Sequence, residues 1–133
     1  MSQENVGLIQ SMYQAFARGD VPAVLGAMDP AIVWNEAESF PYADKNPYVG
    51  PGAVAAGVFG RIVADWDGFT VTPEEFHDAG ETVIARGRYG GTHKQTGQKI
   101  HAQFAHFWWL KGGKVVRFQQ HADTLQVTKA AGA

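Results

Sequence analysis

Trp34, Glu36 and Glu38 occupy alternate positions in WNEAESF, directly after the β-branched pair Ile32-Val33. Alternate residues of a strand share a face, so a tryptophan and two carboxylates are presented together where an apolar strand ends. A carboxylate enclosed by apolar surface loses hydration, and its pKa rises into the range of a general base near neutral pH. The shared parity points to a pocket lined by Trp34 and Glu36, with Glu38 at the rim or in solvent. The alternative is a pair of glutamates at a solvated strand end. A second polar group lies late in the chain, in FQQHADT. Gln120 could bind a carbonyl or hydroxyl. Asp123 is an acid–base type that could equally end its strand beside Thr124.

The elements that must position these residues can be read from periodicity. Val6, Ile9, Met12, Tyr13 and Phe16 recur at helical spacing, and Arg18-Gly19 stops that helix. Asp20 caps a second short helix with Pro22 in its first turn, running through Val24, Leu25 and Met28 to Asp29-Pro30. Residues 31–36 read as a strand and 40–52 as a Pro/Gly-rich loop. A third helix is expected over 53–64, with Val54, Val58 and Ile62 inward; Gly57 and Gly60 weaken it or admit a close neighbour. Strands are expected over 69–73, 75–79, 82–89, 99–110 and 114–124, with Gly90-Gly91 and Gly112-Gly113 at turns. Residues 126–133 read as a flexible tail. Helices early and consecutive strands late indicate one α+β domain over 1–133.

Placing a two-residue turn at Gly112-Gly113 fixes a register for the last hairpin. Phe107 then faces Phe118 and Ala105 faces Gln120, with Trp109 and Val116 on the same side. His106, Trp108, Arg117 and His121 share the opposite side. The expectation is that Phe107 and Phe118 line a pocket, that His106, Trp108, Arg117 and His121 meet a second subunit, and that Trp108 stacks on Arg117. A bulge would exchange the faces for every residue beyond it.

The chain has 133 residues, 45% of them hydrophobic, with a formal charge of −2 and no cysteine. That composition fits a folded globule and excludes disulfides and thiolate chemistry. Without a basic run, nucleic acid is a poor partner. MSQENVG carries no basic region followed by an apolar run, and no 18-residue apolar segment follows, so a cytoplasmic protein without a membrane span is expected. His77, His93, His101, His106 and His121 show no metal-binding spacing; no metal and no cofactor are expected.

With MYQAFARGDVPAVLGAMDPAIVW at the front and GGKVVRFQQHADT at the back, the chain resembles the nuclear transport factor 2-like superfamily. Within it, the resemblance is to SnoaL-like and ketosteroid-isomerase-related proteins. It implies a cone-shaped, strongly curved mixed or antiparallel sheet packed on three N-terminal helices around an apolar cavity, and often a dimer. Counted from Arg18-Gly19-Asp20, Glu36 falls where the isomerases keep a proton-shuttling aspartate. Their two oxyanion donors fall on Met12 and Ala105, so steroid isomerase activity is not expected; Tyr13 lies one residue along. The loop holding Tyr42 and Tyr48 would cover the cavity mouth. Arg86 or Arg88 could supply the arginine of the related epoxide hydrolases, but no second buried aspartate accompanies either. His93, Lys94 and Lys99 read as solvated.

Two functions remain open. One is a cofactor-independent isomerase, cyclase or hydrolase of a small apolar or polycyclic molecule, with Glu36 as base, Gln120 and Asp123 assisting, and Met12, Tyr13, Trp34, Tyr48, Phe107 and Phe118 shaping the site. The other is a dimeric ligand-binding or structural protein without chemistry.

Overall fold

The computed structural model describes residues 2–132. Helix α1 (Ser2–Ala17) and α2 (Val21–Gly26) precede strand β1 (Met28–Asn35) and the two-residue β2 (Tyr48–Val49). A continuous helical segment follows: α3 (Pro51–Val54), a π-helical turn (Ala55–Phe59) and α4 (Gly60–Asp65). Four long strands come next, β3 (Trp66–Ala79), β4 (Thr82–His93), β5 (Lys99–Lys111) and β6 (Lys114–Ala122), and then α5 (Thr124–Ala130).

The α+β class is as expected, but the cone is not. The six strands form one open mixed sheet in the order β2-β1-β6-β5-β4-β3, with β1 parallel to β6 and all other neighbours antiparallel. Its edges, β2 and β3, do not pair, so the sheet is not closed into a strongly curved wall. Nor are there three N-terminal helices. Two precede the sheet, a third follows β2, and a fourth occupies the stretch expected as a loose tail. Asp123 caps α5, accepting from Gln126 N at 3.2 Å, and burial of Val127 and Ala130 holds the helix down.

Local chemistry accounts for several boundaries. The Asp20 carboxylate accepts from Ala23 N at 3.2 Å, satisfying a free donor in the first turn of α2. Gly57 is needed where the π turn crosses β2, since a Cβ there would lie 2.2 Å from Tyr48 Cε1. The gap expected near Glu74 is a bulge within one long β3, between Pro73 and Glu75. Gly90 and Gly91 lie inside β4 rather than at a turn, which carries the strand on to His93.

The last hairpin keeps its Lys111–Lys114 turn but contains a bulge. Leu110 pairs with Val115, whereas Trp109 pairs with Arg117, leaving Val116 as the extra residue. Beyond it, His106 faces Gln120 and Trp108 faces Phe118. These four are buried, together with Phe104 and Leu110. Phe107, Trp109, Arg117 and His121 take the opposite face. The cation–π contact accordingly forms between Arg117 and Trp109, at 4.3 Å to the ring centroid, not with Trp108.

Candidate functional site

A cavity of about 60 Å³ lies between the sheet and the helices. Met12, Tyr13 and Phe16 reach it from α1, Val58 and Phe59 from the π turn, and Trp34, Tyr89, Trp108 and Phe118 from the sheet. Aromatic rings pack edge to face or stacked around it. Trp34 lies 3.7 Å from Phe118 between centroids, and Tyr13 stands on edge against Trp108 at 5.7 Å; such pairs add roughly 0.5–1.5 kcal/mol each beyond burial. The volume holds roughly four waters. An outer groove of about 460 Å³ shares Phe16, Phe59, Ile62 and Phe69 with the cavity. Those four side chains border both spaces.

Glu36 follows the last residue of β1 and is 2% exposed. Its backbone is clamped by Asn46, whose Oδ1 accepts from Glu36 N at 2.9 Å while Nδ2 donates to Glu36 O at 2.8 Å. The Trp34 indole N–H donates to Glu36 Oε2 at 2.8 Å. Glu36 Oε1 is the buried side-chain oxygen left without a partner among the described residues. Burial pushes the carboxyl from its ordinary 4.5 up to about 7, against the opposing pull of the Trp34 N–H and the Arg61 charge.

Across the cavity, His106 is held between two phenols. Tyr13 Oη lies 2.6 Å from its Nδ1 and Tyr89 Oη 2.5 Å from its Nε2. The Trp108 indole donates to Tyr13 Oη at 3.0 Å, and Gln120 Nε2 donates to Tyr89 Oη at 2.8 Å. Gln120 Oε1 in turn accepts from Ala37 N at 2.9 Å, which ties this cluster to the segment carrying Glu36. Burial pushes the His106 imidazole down to about 3, so it is neutral at physiological pH. Burial also raises both phenols, and the Glu36 charge raises Tyr89 further.

Of the residues singled out from sequence, Glu36, Gln120, Met12, Tyr13, Trp34 and Phe118 converge on this cavity. Phe107 does not, because the Val116 bulge turns it to the outer face. The same bulge brings His106 and Trp108 inside, away from any subunit contact. Asp123 is spent on capping α5 at the surface. Tyr48 packs under Gly57, with its hydroxyl donating to Tyr42 O at 2.6 Å. Arg86 pairs with Glu75 on the exposed surface and Arg88 donates to His101 O, so neither faces the cavity. Lys94 and Lys99 are exposed as expected, whereas His93 is buried edge-on against Trp66. Tyr89 was missed. Its signal lay in alternation with Arg86 and Arg88 along β4, but Gly90-Gly91, read as a turn, put it at the strand's end beside a loop.

The model of the SnoaL-like domain matches residues 9–118. The chain belongs to this family. The SnoaL-like chain is 38% identical to an NTF2-like protein of Burkholderia thailandensis, covering 96% of each chain with a TM-score of 0.91. It is 28% identical to an NTF2-like protein of unknown function from Burkholderia pseudomallei, over 100% of both chains, at 0.89. TerC, co-crystallised with polyporic acid, shares the fold at 21% identity, a TM-score of 0.86 and coverage of 98% and 99%. No curated protein matches the SnoaL-like chain. No helix among its described residues is long and apolar enough to cross a membrane.

Proposed function

We propose that this SnoaL-like protein binds a small, mostly apolar ketone and moves a proton on it without a cofactor. The observation that carries the reading is Glu36 Oε1, a buried carboxylate oxygen without a partner among the described residues, on a side chain that lines an aromatic cavity. Pushed up to about 7, Glu36 is divided between base and acid near neutral pH, as a proton shuttle requires. It would take a proton from the carbon beside the carbonyl. The enolate oxygen would be held by a phenol of the Tyr13–His106–Tyr89 cluster, and the carbon would recover a proton from Glu36. This differs from the steroid-isomerase donor pair, whose positions are Met12 and Ala105 here. That TerC was co-crystallised with polyporic acid supports the view that the fold can take an organic ligand. We also propose that two copies pair through the outer sheet face bearing Phe107, Trp109, Arg117 and His121.

Hydrogen–deuterium exchange at the α-carbons of acetone, a ketone small enough for the cavity, tests the catalytic reading. In D₂O, wild-type protein should catalyse exchange with a rate that rises through pH 7, and Glu36→Gln should lose at least tenfold. Exchange that is equal in the two proteins would refute it. Binding without exchange would leave a ligand-binding protein with no chemistry.

A further inference from the structure

Hydrogen-bond arithmetic in the cluster leaves one donor over. Both phenol oxygens already accept, Tyr13 from the Trp108 indole and Tyr89 from the Gln120 amide. The amide cannot be reversed without losing the bond from Ala37 N to Gln120 Oε1. Each phenol proton must therefore find an acceptor of its own. Both phenols contact His106, one at each ring nitrogen, and a neutral imidazole has one N–H and one lone pair.

The two contacts to His106 consume two protons, and the cluster holds three: two phenolic and one imidazole. With Nδ1 protonated, His106 donates to Tyr13 and accepts from Tyr89, which leaves the Tyr13 hydroxyl free. With Nε2 protonated, it donates to Tyr89 and accepts from Tyr13, which leaves the Tyr89 hydroxyl free. Neither hydroxyl has another acceptor within hydrogen-bond distance among the described residues, and both tyrosines line the cavity.

We infer that His106 is a positioning residue whose tautomer selects which tyrosine, Tyr13 or Tyr89, offers its hydroxyl to a ligand oxygen. The cavity then presents one phenol donor at a time, at either of two places. This goes beyond the ketone reading, resting on it only for the identity of the ligand; the tautomer itself belongs to the empty protein. A ligand with one acceptor oxygen, a ketone or an enolate, matches the single donor. One with two adjacent acceptor oxygens leaves the second without a phenol partner.

Long-range ¹H–¹⁵N spectra of histidine-labelled protein, with His106 assigned by loss in His106→Gln, read the tautomer directly. Wild-type His106 should carry one protonated and one bare nitrogen from pH 5 to 8. In Tyr89→Phe, Tyr13 should donate to Nδ1 and the ring should become the Nε2–H form, since the reverse orphans two groups instead of one. In Tyr13→Phe the argument inverts, and the Nδ1–H form should dominate. Acetone should drive the wild-type signals toward a single tautomer. The same tautomer in both variants, or an imidazolium in the wild type at pH 7, would overturn the inference whether or not the ketone binds. Ketone binding that leaves the tautomer unmoved would overturn the switch while sparing the ketone reading; failure of the ketone to bind, with opposite tautomers in the variants, would do the reverse.

Discussion

Replacing Glu36 by glutamine should make the protein more stable, and by an amount set by pH. A carboxyl whose folded pKa lies above its unfolded value binds protons more tightly when folded. Below the unfolded value of 4.5 both states are protonated and Glu36 imposes no pH-dependent cost. Between 4.5 and about 7 the unfolded state releases its proton first, so stability falls as pH rises, and above 7 the full cost is present. At about 1.4 kcal/mol for each pH step between those values, the cost at pH 8 is about 3 kcal/mol. That equals roughly 10 °C in melting temperature for a domain of this size. Urea unfolding of wild type and Glu36→Gln at pH 4, 6 and 8 isolates the effect, because every other titrating group cancels in the difference. The difference should move in favour of the glutamine variant by about 3 kcal/mol between pH 4 and pH 8. A difference that stays flat would show that Glu36 is not desolvated, and the reasoning from burial would fail.

Other expectations follow from single contacts. His106, pushed down to about 3, works in the opposite direction: between 6.5 and 3 the unfolded state binds the proton first, so acidification should destabilise wild type more than His106→Gln, as read by urea midpoints. Trp34→Phe removes the donor to Glu36 Oε2 and should raise the Glu36 midpoint further above 7, seen by ¹³C-carboxyl titration. Gly57→Ala places a methyl against the Tyr48 ring, which its hydroxyl bond to Tyr42 keeps from yielding; a loss of about 3 kcal/mol in urea unfolding is expected. Trp109→Glu puts a charge at the centre of the proposed pairing face, and sedimentation should show monomer where wild type is dimeric.

Much of this architecture was legible in the sequence because it follows from periodicity. The α1 stripe, the Asp20 cap and the Glu36–Trp34 parity each rest on residues close together in the chain. What escaped rests on contacts between strands. Phe104, His106 and Trp108 alternate with Ala105, Phe107 and Trp109, so both faces of β5 look apolar and neither marks itself as inner. The turn fixed a register, but one extra residue at Val116 exchanged the faces of β6 relative to β5 beyond it. No residue type announces such a bulge; it becomes visible only in the three-residue step between buried Val115 and Phe118. The same slip hid His106 from the cavity and gave Phe107 a place there. The tail was misread for a different reason: a seven-residue helix has little propensity of its own, and α5 exists because Asp123 caps it and Val127 and Ala130 are buried. The cone was carried over from the family resemblance, and the open strand order with unpaired edges β2 and β3 overturns it.

The most direct test of the central claim is a ¹³C-detected pH titration of the Glu36 carboxyl in the free protein, assigned by its loss in Glu36→Gln. A midpoint of about 7 would establish a desolvated carboxyl ready to take and return a proton at neutral pH. A midpoint near the ordinary 4.5 would mean that water reaches Glu36, and the proton-transfer account would fall.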